Sequence, residues 1–314
     1  MSFTMTVKEE LCREISGHRH CRLAELAAVL AMSGRIRFDE EGRVSVRIHT
    51  ENEPAAKKYF TLLKKTFSIN TDVVSKQNIS GGESFYLMIT DDAGAREVLT
   101  ACGLLAEFDE VTEDCEVAGN PLLARSCCRR AFIRGAFLAA GSVNDPQGAY
   151  HFEIACLSAA RAAQMVSLMA EFDVTARIVR RKQRYVVYVK EGAQIVDLLN
   201  VMGAPLALME MENVRILKDM RNNVNRKVNC ETANINKTVS AAVRQLEDIA
   251  LIRKRGAFDK LPANVREMAL LREEYPEDTL QELGARLTKP VGKSGVNHRF
   301  ERIHELAESL RAEG

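Results

Sequence analysis

The sequence predicts an α+β fold, a duplicated αββαββα domain followed by an all-α domain, and three observations carry that prediction. A stretch of small and apolar residues with helical character occurs twice, as Leu23-Ala-Glu-Leu-Ala-Ala-Val-Leu-Ala-Met-Ser-Gly34 and as Phe132-Ile-Arg-Gly-Ala-Phe-Leu-Ala-Ala-Gly-Ser-Val143. Their closing glycines, Gly34 and Gly141, stand 107 residues apart, and alike segments follow each copy. Strand signals then fade beyond residue 205. A period this long marks duplication of a domain half, because solenoid repeats are much shorter.

After the first copy, in which Ala27, Ala28 and Ala31 keep the helix surface small, come Val44–His49, an apolar run around Tyr59–Phe67, a strand-like Ser84–Thr90 and a helix-like Ala93–Leu104. After the second come Tyr150–Cys156, Ala159–Phe172, Tyr185–Lys190 and Ala193–Val201. Each repeat reads helix, two strands, helix, two strands, helix. An alanine-rich helix with a glycine cap is common by itself; its recurrence with matching downstream elements is what gives it weight.

The two stretches resemble the LAGLIDADG helix of homing endonucleases. In that motif small residues let two helices pack closely, and a carboxylate just before the closing glycine holds the metal. Here the acid positions are Ser33 and Ala140. The resemblance implies a saddle-shaped antiparallel sheet, with the motif helices at a pseudo-two-fold axis, that has lost its catalytic residues. Metal-dependent phosphodiester cleavage needs carboxylates to hold Mg²⁺, and Glu25, two turns from Ser33, would point to the wrong end of the helix interface.

The chain has 314 residues, 46% of them hydrophobic, enough for two domains with a real core. No apolar run approaches the roughly 20 residues that span a bilayer, and the first ten residues lack the apolar stretch of a signal peptide; a cytoplasmic protein is expected. Cys12, Cys21, Cys102, Cys115, Cys127, Cys128, Cys156 and Cys230 form no C-x-x-C and no pair at zinc-site spacing. They read as small hydrophobes. His18 and His20 flank Arg19 in what reads as a polar loop, with no second ligand cluster nearby in sequence. No metal and no cofactor is expected.

Net charge is only +1, so any role with nucleic acid must rest on where the charges lie. Val174–Lys190 carries Arg177, Arg180, Arg181, Lys182, Arg184 and Lys190 without an acid, across a hairpin with its turn near Arg181–Gln183. Arg180, Arg181, Lys182 and Arg184 are candidates for DNA contact; a solvated basic hairpin, or one facing its own chain, is the rival reading. Residues 205–258 read as a helical connector in which Leu206, Met209, Val214 and Leu217 line one face, and Val239, Val243, Leu246 and Ile249 resume the pattern. Between them Asn222–Thr238 is rich in asparagine and base, and residues 211–260 hold eleven Lys/Arg against six Asp/Glu. Arg226, Lys227 and Lys237 are further candidates for phosphate contact. Asparagine-capped turns in a polar linker are the alternative.

From Leu261 a three-helix pattern follows. Pro262 suits the first turn of a helix through Val265, Met268, Ala269 and Leu271, which Tyr275-Pro276 ends. Thr279-Leu-Gln-Glu282 has the capping-box form ahead of Leu283 and Leu287. Ser294 is placed to cap a third helix with Val296, Phe300, Ile303, Ala307 and Leu310 at alternating spacings of four and three. That is a helix-turn-helix with the third helix in the recognition position. Lys289, Lys293, Ser294, Asn297, His298, Arg299 and Arg302 are its candidate DNA-binding residues, clustered at one helix start in a segment, 261–314, that is otherwise net acidic. Thr288–Lys293 is longer than the usual three- to four-residue turn.

The chain is identified as a member of the WhiA family of Gram-positive bacteria by Ser2-Phe-Thr, Val7-Lys-Glu-Glu-Leu11, Arg134–Val143, Asn229-Cys-Glu-Thr-Ala-Asn234, Lys237-Thr-Val239 and Lys293-Ser-Gly-Val-Asn-His-Arg299. The family's usual Pro-Ile before the last string appears as Pro290-Val291. The resemblance implies a degenerate LAGLIDADG domain over 1–204, with repeats about 20–105 and 125–204, the connector 205–258 and a helix-turn-helix domain over 259–314. It implies a sequence-specific DNA-binding transcription regulator of sporulation, cell division and chromosome segregation, nucleoid-associated and without nuclease activity. Double-stranded DNA is the implied partner, with other transcription regulators or RNA polymerase as candidate protein partners and no membrane. The WhiB-like iron–sulfur partner of actinobacterial members is not carried over. The alternatives are a metal-dependent endonuclease with rearranged ligands and a protein-interaction platform on the nucleoid.

Overall fold

The chain opens with a helix that the sequence pattern leaves unassigned. α1 (Phe3–Arg13) starts where the Ser2 hydroxyl accepts the Met5 N–H, and Phe3, Val7 and Leu11 form its buried face. The computed structural model describes residues 2–77, 82–105 and 121–312. They belong to two units, Met1–Lys218 and Asp219–Gly314, each with its own apolar core.

At the centre of the first unit, α2 (Arg19–Ser33) packs along α5 (Ser126–Ala140). α2 is buried almost all round, from Leu23 to Met32, so it is apolar on every face rather than amphipathic. Small residues set the approach of the two helices. A Cβ on Gly135 would lie 2.4 Å from the Glu25 carbonyl oxygen and 3.1 Å from the Ala28 Cβ; Ala28 and Gly135 are the same position of the two repeats, 107 residues apart. The closing glycines have a different reason. Each helix turns directly into a strand, and a Cβ on Gly34 would sit 2.4 Å from the Leu30 carbonyl oxygen, one on Gly141 against Phe137.

Each motif helix leads into its own antiparallel sheet, β1 (Gly34–Phe38), β2 (Val44–Thr50), β3 (Asp72–Gln77) and β4 (Glu83–Ile89) in the order β1-β2-β4-β3, and β5 (Gly141–Val143), β6 (Phe152–Cys156), β7 (Arg177–Arg181) and β8 (Arg184–Val189) in the order β5-β6-β8-β7. The identical orders show the duplication directly. α3 (Glu53–Phe67) and α4 (Asp92–Ala101) follow the first pair and last strand of one repeat, as α6 (Ala159–Ala170) and α7 (Gly192–Met202) do in the other. Asn52, Asp91 and Ser158 cap α3, α4 and α6 through side-chain oxygens. Gly203, at φ +86, ends α7, a conformation that costs glycine little.

Between α2 and α5 lies a buried ionic trio. Glu25 is wholly buried, bonded to Lys58 Nζ at 2.6 Å and bidentate to Arg134 at 3.1 Å. Lys58 also donates to the Leu11 carbonyl, so α2, α3 and α5 meet on one carboxylate and α1 is tied in through Lys58. Burial holds the Lys58 pKa below the ordinary lysine value against the pull of Glu25.

Two sequence expectations are corrected in this unit. His20 lies not in a loop but in the first turn of α2, with His18 at the cap position. The cysteines are not all isolated: His20, Cys21, Cys127 and Cys128 place their ligand atoms within 4.8 Å of one another. They are remote in sequence, and the packing of α2 on α5 brings them together. Cys115 lies outside the described residues.

α8 (Pro205–Lys254) runs without interruption through the asparagine-rich stretch, which removes the alternative of capped turns there. Between 206 and 255 there is neither proline nor glycine, and asparagine costs a helix only a few tenths of a kcal/mol, up to about 0.7. Its first turn is held by Glu10 of α1, whose carboxylate accepts the Leu206 and Ala207 N–H groups. In the second unit α9 (Ala263–Glu274), α10 (Leu280–Arg286) and α11 (Lys293–Ala312) close around Val265, Met268, Leu283, Val296, Phe300 and Ile303. Among the described residues no helix is long and apolar enough to cross a membrane.

Candidate nucleic-acid interface

The helix-turn-helix candidate is held by polar contacts that fix both of its turns. The capping box is present in full: Thr279 Oγ1 accepts the Glu282 N–H while the Glu282 carboxylate accepts the Thr279 N–H. The buried Arg272 donates to the carbonyls of Tyr275, Pro276 and Asp278 and to Gln245, with Phe300 beneath its guanidinium. It ties the α9–α10 turn shut. The longer α10–α11 turn is fastened by Glu267, which accepts both the N–H and the hydroxyl of Thr288 and has its pKa lowered by those bonds. Val291 N–H donates to the Gly284 carbonyl, and a Cβ on Gly284 would stand 2.4 Å from the Val291 carbonyl oxygen. The six-residue turn therefore folds back flat on α10.

α11 begins at Lys293, so Ser294 is inside its first turn and does not cap it; the Gly292 carbonyl accepts the first N–H groups instead. Pro262 likewise sits at the cap position of α9, one residue before its first turn. Val296, Phe300, Ile303 and Ala307 are the buried stripe of α11. Lys289, Lys293, Ser294, Asn297, His298 and Arg302 are exposed, and Arg299 is half-buried. Arg299 donates to the Asn264 carbonyl at the start of α9. Asn297 and Arg299 diverge by about 200° around the helix, so they present to different sides. The outward face at the helix start is Ser294, His298 and Arg302, flanked by Asn297.

The second basic surface is larger than the hairpin alone. Val44, Val46 and Ile48 of β2 are buried, and the alternate residues Arg47 and His49 take the opposite face together with Arg35, Arg37, Tyr86 and Lys76. His49 stacks on Tyr86 at 4.9 Å, with the Arg47 and Lys76 cations 5.5 and 5.9 Å from the same ring. On the second sheet the register puts Arg177, Arg181 and Arg184 on the corresponding face, while Arg180 turns to the other side beside Tyr185. Lys182 occupies the tight turn at φ +54. The hairpin is not free of acid in space: Glu153 of β6 bonds Arg181 at 3.0 Å and His151 at 3.0 Å. Arg35, Arg37, Arg47, His49 and Lys76 carry no separate run in the sequence. Their signal is the strand alternation, read for charge instead of for apolar residues.

Where the two sheets and the ends of α2 and α5 meet, an open cleft of about 500 Å³ is lined by Ser33, Ala139 and Ala140 together with Arg35, Arg47, His49, Tyr86 and Arg184. No carboxylate is among the described residues lining it. The Ser33 hydroxyl donates back to the Val29 carbonyl of its own helix. Three guanidinium groups around the acid positions repel a divalent cation and suit phosphate oxygens. Arg226, Lys227 and Lys237 lie on the exposed part of α8, Arg226 and Lys237 on one face and Lys227 about 100° away.

Residues 19–105 match the family model of the WhiA N-terminal LAGLIDADG-like domain, residues 129–221 that of the WhiA LAGLIDADG-like domain, and residues 224–307 that of the WhiA C-terminal HTH domain. The protein named "Probable cell division protein WhiA" of Lachnoclostridium phytofermentans is 48% identical over 313 residues, 99% of this chain and 100% of that one. Its namesake in Desulforamulus reducens is 45% identical over 314 residues, 99% of this chain and 97% of the relative. The crystal structure of full-length DUF199/WhiA from Thermatoga maritima aligns over 98% of this chain and 99% of its own, with a TM-score of 0.59 at 23% identity, a likeness of fold.

Proposed function

The chain belongs to the WhiA family, and from that premise we propose that it is a sequence-specific DNA-binding regulator of cell-division genes, acting at the nucleoid and without nuclease activity. The observation that carries the proposal is the exposed start of α11. Lys289, Lys293, Ser294, Asn297, His298 and Arg302 gather there on a helix-turn-helix frame whose turns are fixed by buried or charge-assisted bonds. Helices so placed enter the major groove with their first turns against base edges. Cell division is the process in the printed names of the relatives; chromosome segregation and sporulation belong to the same reading.

The duplicated sheet is the second contact in this account. Its cleft presents Arg35, Arg47 and Arg184 where a nuclease would hold metal between carboxylates, so it supports grip on a phosphate backbone and opposes cleavage of one. Mapping of bound sites across the native host's chromosome, paired with a plasmid-nicking assay in Mg²⁺ and in Mn²⁺, tests the reading. Discrete sites near division genes and uncut plasmid are expected. Uniform occupancy would remove sequence specificity, and nicking would restore the nuclease alternative.

A further inference from the structure

We propose that His20, Cys21, Cys127 and Cys128 form a structural site for a zinc-like divalent cation that staples the two repeats together at the outer end of the α2–α5 pair. The four residues are two positions seen twice. His20 and Cys127 are equivalent in the repeats, as are Cys21 and Cys128, each pair separated by the same 107 residues as Gly34 and Gly141. The helix packing that brings Ala28 against Gly135 thus brings the first turns of both helices face to face, and with them one imidazole and three thiols.

The distances fit. His20 Nδ1 is 3.1 Å from Cys128 Sγ, 3.3 Å from Cys21 Sγ and 4.0 Å from Cys127 Sγ, and all four ligand atoms lie within 4.8 Å of each other. A tetrahedral ion with metal–sulfur bonds of about 2.3 Å and metal–nitrogen bonds of about 2.0–2.1 Å separates its ligands by roughly 3.5–3.8 Å. Three cysteines and a histidine complete four-coordination with no open position, the pattern of a structural site, and their softness selects zinc over magnesium or calcium. This end of the helices is opposite to the closing glycines and the arginine-lined cleft, so the site is independent of the vanished nuclease centre.

A bound dication deprotonates coordinating thiols outright. Arg125 Nη1 is 3.3 Å from His20 Nε2; a guanidinium only donates, so Nε2 accepts and the proton sits on Nδ1, facing Cys128. Binding then releases one proton from each of three thiols, moves the imidazole proton from Nδ1 to Nε2, and turns the Arg125 guanidinium away from that nitrogen. The product, one dication with three thiolates and a neutral imidazole, carries a single negative charge beside Arg125 and two helix N-termini.

The test uses the full-length chain, reduced, stripped with a chelator and titrated with Co²⁺ and then Zn²⁺. One equivalent of Co²⁺ should give the intense visible bands of a tetrahedral thiolate site, and Zn²⁺ should bleach them. Cys127→Ser, an exposed position that leaves the buried packing intact, should weaken binding at least tenfold, while Cys230→Ser, also at an exposed position, should not. In the unmutated chain Zn²⁺ should also protect Cys21, Cys127 and Cys128 from alkylation, read by mass spectrometry. Absence of the cobalt spectrum, a Cys127→Ser variant that binds as tightly as the parent, or reduced thiols that alkylate at the same rate with and without Zn²⁺ would each overturn the site. A disulfide within the cluster, formed in air, in a chain whose reduced form takes no metal would reassign these thiols to redox chemistry.

Discussion

Glu25 decides how the two motif helices are joined. A carboxylate with no exposure is tolerable only because Lys58 and Arg134 answer it, and removing one member of such a group leaves uncompensated buried charge. Glu25→Gln should therefore cost about 3–5 kcal/mol in unfolding free energy, measured by urea titration; a loss under about 1 kcal/mol, the range of an exposed pair, would show that water reaches the trio. Lys8 supplies a pH test. Burial lowers its pKa to about 8, below its unfolded value, so in the folded chain the protonated form is disfavoured and stability rises as pH climbs from about 8 towards the ordinary lysine value. Lys8→Met should raise the Tm at neutral pH, with a gain that shrinks by about pH 10; a gain constant with pH would mean the ammonium is solvated. At this scale the sequence spoke unevenly. Ser33 and Ala140 were legible as missing acids because their motif is local. The grouping of His20 with Cys21, Cys127 and Cys128 was not, since its members lie in two segments and only the repeat offset relates them.

Among the elements, the motif helices and the capped helices were the easiest to read. Thr279–Glu282 announces α10 because a capping box is a short-range chemical pattern, and Gly34 and Gly141 mark the helix-to-strand corners. Continuity was harder. The asparagines of 222–238 mimic turn chemistry, and the one local sign that α8 passes through them is the lack of proline and glycine between 206 and 255. Consecutive strand residues face opposite sides, so Arg180 and Arg181 must separate, but which of them takes the open side depends on pairing register. The closeness of α2 and α5 makes a direct prediction. Gly135→Ala places a methyl 2.4 Å from the Glu25 carbonyl oxygen, which backbone cannot yield to without parting the helices. A loss of about 1–3 kcal/mol is expected, read as a lower urea midpoint; an unchanged or higher midpoint would mean the helices already stand further apart.

For the whole molecule, the duplication, the fold class and the family were legible because they are written in long-range repetition and in extended strings, whereas the arginine-lined cleft arises from both repeats and exists only once they pack. If that cleft grips DNA, Arg35→Gln, Arg47→Gln and Arg184→Gln together should flatten the plot of log affinity against log salt by up to about 0.9 per lost phosphate contact. Arg180→Gln, on the other face of its strand, should leave the slope alone. An equal slope for the triple variant and the parent would make the sheet a protein platform. Specific DNA reading without cleavage is tested by competition titration of the full-length chain, in Mg²⁺, on a mapped chromosomal site and on a scrambled duplex, with the strands examined afterwards. A preference of about 10³-fold or more for the mapped site is expected, reduced by the ~1–3 kcal/mol of a lost base-reading contact in Asn297→Ala/His298→Ala, with intact strands throughout. Equal affinity for the two duplexes, or cut DNA, would contradict it.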